Sequence, residues 1–183
     1  MKNKITCKIP NTIKTIESYS FAMSESLETL IIDSENIVIG SKAFHGCQKL
    51  KNVIITKTNI QLGDKVFDKC EELNPIQLPK DFNNVDQLNG IEIKKVEIGK
   101  CGEECIYTID EENKLLSFYG SGAMTSIDST LTEQQRNQIT NITISSSITM
   151  IGDNLFDSFV NVQIINYDGL NEPICTEKTF GNI

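Results

Sequence analysis

The sequence predicts a repeat solenoid of α/β type, mostly β. Coils of about 23 residues should stack a parallel sheet along a concave face, with one inserted β-hairpin segment. Two observations predict this. The first is a set of apolar columns. Ile16, Phe21, Leu27, Leu30 and Ile32 are followed by Ile39, Phe44, Leu50, Val53 and Ile55, and then by Leu62, Phe67, Leu73, Ile76 and Leu78. Each member falls 23 after its predecessor, as in 39 − 16 and 62 − 39. A fourth copy is Ile151, Phe156, Val162, Ile165 and Tyr167, with the same internal spacings. The second observation is the survival of the phase between copies three and four. Ile93, Val96 and Ile98 keep the spacing of the strand positions, three residues early. Ile139, Ile142 and Ile144 keep it again, and 142 − 96 = 46 is twice 23.

The physics of one coil follows from these spacings. The two apolar residues separated by one position form a short strand, with the outer pair pointing inward and the middle residue outward. One such strand cannot bury its apolar side alone. Stacking coils about 4.8 Å apart pairs the strands in parallel and produces one continuous core. Phe21, Phe44, Phe67 and Phe156 should fill the opposite, convex side. Gly40, Gly63 and Gly152 follow the first apolar column, where positive φ is expected at a chain reversal, although Glu17 holds that place in the first copy.

Residues 99–125 lack the columns. Ile106–Asp110 and Leu115–Tyr119 alternate around Glu111, Glu112, Asn113 and Lys114, which reads as a hairpin. Thr132 and Gln135 form a capping-box pattern for a short helix ending near Gln138. The expected division is therefore residues 1–98 as N-terminal repeats, 99–138 as a hairpin and short-helix interruption or cap, and 139–183 as C-terminal repeats. The interruption reads as a spacer covering a sheet edge in preference to an inserted recognition element.

The segments Ile39–Leu50 and Ile148–Phe156 resemble the repeats of the BspA-like leucine-rich-repeat family, as does Cys101–Asp110 with Leu115–Met124 to the segment preceding such repeats. Asn36 and Asn59 depart from the early Val of that pattern, and Tyr107 stands for its Trp. The resemblance implies a leucine-rich-repeat array and a cell-surface role in adhesion and contact with a host. Fold does not by itself fix function.

Composition narrows the partners. The net charge is −8 with no basic cluster, so neither nucleic acid nor an anionic membrane surface is expected. Apolar residues make up 39% of the chain, enough for a continuous core, yet no run approaches the roughly 18 residues of a membrane span. Met1–Pro10 carries lysines but no apolar signal region, which leaves an intracellular protein, another export route or a fragment as readings.

No cofactor, metal or catalytic residue is expected. Cys47 and Cys70 share a repeat column and read as buried, reduced and slow-reacting thiols, with an inter-coil disulfide as the lesser reading. Cys7 falls in a core column. Cys101 and Cys105 could be bridged or supply half a metal site, but a chain with one histidine is a poor zinc ligand set. His45 has no nucleophile elbow or phosphate loop beside it. Asp110, Glu111 and Glu112 lack the calcium-loop pattern and read as a solvated tip. Asn141-Ile-Thr143 is a glycosylation sequon that reads as a chance occurrence.

The expected function is non-catalytic binding of a protein or other macromolecule through the concave face. Its candidate residues are Thr29, Ile31, Asp33, Asn52, Ile54, Thr56, Gln77, Glu97, Thr143 and Asn166. Pro75, Pro79, Lys95, Asn141, Ile164 and Asp168 share that face. Ile31 and Ile54 should be adjacent and exposed as a contact patch. The alternative is a structural segment that associates with itself through uncapped terminal coils. Cys7 and Ile9 fall 23 before Leu30 and Ile32, whereas Ile174 falls 23 after Ile151 and Phe180 arrives one residue late.

Overall fold

A computed structural model describes residues 5–83, 88, 90–128, 130–169 and 171–180. Met1–Lys4 of the expected first strand, and the end at Ile183, lie outside the described residues. The chain forms two compact units, Met1–Lys95 and Val96–Ile183.

In the first unit, β1 (Ile5–Ile9), β3 (Leu27–Ile32), β5 (Asn52–Ile55) and β7 (Ile76–Pro79) lie side by side and parallel. Cys7 pairs with Leu30 and Ile9 with Ile32; Leu30 then pairs with Val53 and Ile32 with Ile55, as the 23-residue columns require. Across the core, β2 (Thr15–Ile16), β4 (Ile37–Ile39) and β6 (Ile60–Leu62) form a second parallel sheet, again one coil apart at each step. Leu30, Ile32, Val53, Ile55, Ile76 and Leu78 are buried between them. Each such side chain contributes roughly 1.5–3 kcal/mol by leaving water. Phe21 stacks on Phe44 at 5.1 Å between ring centroids, and Phe44 on Phe67 at 5.6 Å.

The turns differ from expectation. Gly40, Gly63 and Gly152 do not have positive φ. Glycine is needed at Gly40 and Gly63 because the backbone of the preceding coil lies where a side chain would start. A Cβ at Gly40 would be 2.5 Å from the Ser18 nitrogen, and one at Gly63 would be 2.5 Å from that of Ser41. Their amides donate to the Ile16 and Ile39 carbonyls at 2.7 Å, which fixes that closeness. Glu17 is tolerated because β2 is the edge strand there. The left-handed turn residues lie two positions further on. Tyr19, Lys42, Lys65 and Asn154 have φ between 52° and 61°, each three residues after its apolar column.

In the second unit, the part of β8 (Ile93–Lys100) from Val96 onward, β9 (Cys105–Asp110) and β10 (Leu115–Gly120) are successively antiparallel, and β10, β12 (Asn141–Ile144) and β14 (Ile164–Tyr167) are parallel. The expected hairpin is therefore present, and its second strand enters the repeat sheet. Leu116 pairs with Ile142 and Phe118 with Ile144. The following β11 (Gly122–Met124) pairs with β13 (Ile148–Ile151) on the far side. Residues 115–140 thus form an enlarged coil whose return path carries α1 (Glu133–Gln138). Both halves of the capping box are made: Gln135 N donates to Thr132 Oγ1 at 3.2 Å, and Thr132 N to Gln135 Oε1 at 3.0 Å. The hairpin segment and the C-terminal repeats share one core, from Tyr107 and Phe118 to Ile142 and Phe156, so residues 99–138 and 139–183 do not stand as separate parts. The one-residue delay at Phe180 does not break the last coil, because Phe180 stacks on Phe156 at 5.5 Å and Ile174 bridges to Met150.

Candidate binding face

Alternation places the middle residue of each strand on the outward side of the sheet. In the first unit these residues form rows. Thr29 lies beside Asn52. Lys8, Ile31, Ile54 and Gln77 form the central row, strand by strand. Asp33 and Thr56 follow at the strand ends. The outer rows are tied internally: Asn52 Nδ2 donates to Thr29 Oγ1 at 3.4 Å, and Thr56 Oγ1 to Asp33 Oδ1 at 2.6 Å. Lys57 Nζ lies 3.8 Å from Asp33 Oδ1.

Ile31 and Ile54 are adjacent as expected, but each is 0% exposed, so they are no exposed contact patch. They are the two inner members of the central row, with Lys8 and Gln77 to the sides and the Thr29–Asn52 and Asp33–Thr56 rows above and below. They stand outside the cluster of side chains between the two sheets. Thr29 is also buried, at 4%, whereas Asp33, Asn52, Thr56 and Gln77 are half-buried. The accessible part of the face is polar.

In the second unit, Ser117, Thr143 and Asn166 form one row, and Leu115, Asn141 and Ile164 another. Thr143 Oγ1 donates to Ser117 Oγ at 2.8 Å. Thr143 is half-buried and Asn166 exposed. Glu97, half-buried on β8, accepts from Gln135 Nε2 at 2.7 Å and so is joined to the capped helix.

Reading the columns only within the strands missed a groove just beyond them. A shallow recess of about 280 Å³ is lined by Glu35, Asn36, Thr56, Lys57, Thr58, Asn59, Pro79 and Asp81. The same period orders it: Glu35, Thr58 and Asp81 are successive members of one column, as are Asn36 and Asn59. The Asn59 amide donates to the Asn36 side-chain oxygen. The signal was available in the sequence, but it sits in turn residues with no apolar signature.

Cys101 and Cys105 form a disulfide, with Cα atoms 5.0 Å apart. Cys47 is free and buried as expected; Cys70 is free but only half-buried. Tyr107 is fully buried, and its hydroxyl donates to Asp128 Oδ1 at 2.6 Å. Burial alone would raise the Asp128 carboxyl. Hydrogen bonds from the Lys100 amide, Thr130 and Tyr107 outweigh it and hold the carboxyl below the usual carboxylate range. The same burial and the Asp128 contact push the Tyr107 phenol up. His45 Nδ1 lies 3.1 Å from Asp68 Oδ2. Among the described residues no three His, Cys, Asp or Glu side chains gather as a metal site. No helix there is long and apolar enough to cross a membrane.

Parallel strands at a 23-residue period, with aromatic columns stacked behind them, define a leucine-rich-repeat solenoid. The model of the BspA-type leucine-rich-repeat region matches residues 2–104 and 80–182, and the chain belongs to that family. It is a family of repeat scaffolds, not a known enzyme family. No curated protein and no solved structure matched the chain.

Proposed function

We propose that the chain is a non-catalytic binding module, adhesive in character, that engages a protein partner through the outward sheet face. One observation carries the reading: in-register strands set equivalent side chains in rows, giving a surface of repeating polar positions such as Asp33–Thr56 and Thr143–Asn166. Such a surface holds an extended partner through many aligned contacts. Its anchors are polar, because Ile31 and Ile54 are enclosed. The groove from Glu35 to Asp81 continues the rows at one edge.

The test is capture on a panel of immobilised purified proteins. Asp33→Ala with Thr56→Ala, and Thr143→Ala with Asn166→Ala, are compared with Glu111→Ala and Glu112→Ala at the hairpin tip. At least one face pair should weaken capture tenfold or more while the tip variants bind like wild type. Equal binding by all variants, or no capture by wild type, would sink the reading.

A second reading, self-association through terminal coils, has its own support. The exposed large apolar side chains fall in two groups. Ile5, Ile13, Tyr19, Met23 and Val38 lie in the first coils, and Met150, Val160, Ile164, Ile174 and Phe180 in the last. Val160, Ile174 and Met23 are 72%, 68% and 65% exposed. Light scattering over a wide concentration range, run on the same samples, separates the readings. Mass that grows with concentration supports association, and a constant monomer mass removes it.

A further inference from the structure

The turns that carry Phe21, Phe44 and Phe67 are pinned to one another by backbone hydrogen bonds at alternate residues. Phe21 N donates to the Ala43 carbonyl at 2.9 Å and Met23 N to that of His45 at 2.8 Å. One coil on, Lys42 N donates to the Asp64 carbonyl at 2.9 Å, Phe44 N to that of Val66 at 3.0 Å and Gly46 N to that of Asp68 at 2.8 Å. The equivalent donors of the third turn are the amides of Lys65, Phe67 and Lys69, each 23 residues further. Among the described residues these three amides meet no acceptor. The coil that follows is short: Ile93, Val96 and Ile98 fall only 20 after Leu73, Ile76 and Leu78. The column of rings stops here as well, since no aromatic residue lies between Phe82 and Tyr107. Beside this turn is a recess of about 270 Å³, lined by Lys65, Val66, Phe67 and Asp68 and, from beyond the third coil, by Leu88 and Ile91. Val66, Phe67 and Leu88 are buried at its floor, and Lys65 is exposed at its rim.

We propose that this recess is a second docking site, with none of the outward rows in its lining, and that it takes an extended segment of a protein partner carrying an aromatic side chain. The preceding coils show what fits. Each earlier turn receives carbonyls at alternate residues from the coil after it, with one ring between them: Asp64, Val66 and Asp68 offer the carbonyls to the second turn, and Phe67 the ring. An extended chain turns alternate carbonyls to the same side, so a partner's segment can repeat that pattern without the rest of a coil. Its carbonyls accept from the Lys65, Phe67 and Lys69 amides, and its ring packs against Val66, Phe67 and Leu88. Main-chain donors without acceptors favour a ligand that brings carbonyls. Addition of an extended segment to such donors is a recurring mode of peptide recognition: the backbone bonds hold the segment, and a side-chain pocket selects it. The apolar floor makes that selection here, in favour of a flat apolar group.

The experiment is an amide NMR titration of the isotope-labelled full-length chain with a capped synthetic peptide that copies Ile39–Gly46. This peptide carries the phenylalanine ring between the carbonyls that Ala43 and His45 offer to the first turn. Saturable shifts are expected at the Lys65, Phe67 and Lys69 amides, larger than at Lys42, Phe44 and Gly46, whose acceptors are already in place. The same peptide with alanine in place of its phenylalanine should bind at least about tenfold more weakly, as for loss of an aromatic anchor. Ile91→Trp, which fills the recess, should abolish the shifts. Asp33→Ala with Thr56→Ala should leave them unchanged, which separates this site from the outward face. The two peptides on the wild-type chain decide the point even where the Trp variant does not fold. Equal binding of the two peptides, no saturable shift at the three amides, or shifts confined to the outward rows would overturn the proposal.

Discussion

Phe44→Ala is expected to destabilise the first unit by about 3–5 kcal/mol, the range for emptying a fully buried aromatic site. Phe44 is 0% exposed and lies between two stacked rings. Its removal deletes one ring and unpairs two others, and the pinned turns around it cannot close the gap. Urea unfolding measures this as a lower midpoint with an unchanged slope. Phe21→Ala, at the half-buried end of the stack, should cost clearly less. Equal losses at the two positions would mean that the aromatic column is not continuous.

The second large effect concerns the outward isoleucines. Exchanging Ile31 and Ile54 together for Asp is expected to unfold the first unit, since both sites are closed to water. Each loses roughly 1.5–3 kcal/mol of apolar burial, and two adjacent enclosed carboxylates, only one of them beside a cation at Lys8, then add the cost of desolvation and of their mutual repulsion. Exchanging both for Val should cost only about 0.5–1.5 kcal/mol at each position. Circular dichroism and urea midpoints on the two double variants provide the check. If the Asp pair folds with wild-type stability, the face is open there and the exposed apolar patch read from the sequence returns.

These two sites show how far the sequence could be read. The period fixes which residues share a column and which side of the sheet they face, so the Phe21–Phe44–Phe67 stack and the Leu30–Val53 and Ile31–Ile54 pairings were all legible. The capping box was legible because its two side chains are local. Burial on the outward side was not, because it depends on the neighbours in all four directions and not on alternation along one strand. The turn glycines were legible as special positions but for the wrong reason: close approach of the preceding coil constrains Gly40 and Gly63, while Tyr19, Lys42 and Lys65 carry the left-handed backbone. Residues 115–140 were hidden as a coil because their length departs from 23 and their return path uses a helix. The bridge between Cys101 and Cys105 remained open because spacing alone suits more than one chemistry.

The central claim is that consecutive 23-residue segments stack as parallel strands in column register. Methyl nuclear Overhauser effects, with isoleucine, leucine and valine methyl groups labelled, test it most directly. The account predicts cross-peaks linking Leu30 to Val53, Ile31 to Ile54 and Ile32 to Ile55, with none between Ile31 and the inward-facing Ile37 or Ile39. Cross-peaks displaced by one residue, such as Leu30 to Ile54, or an antiparallel pattern between these segments, would contradict it.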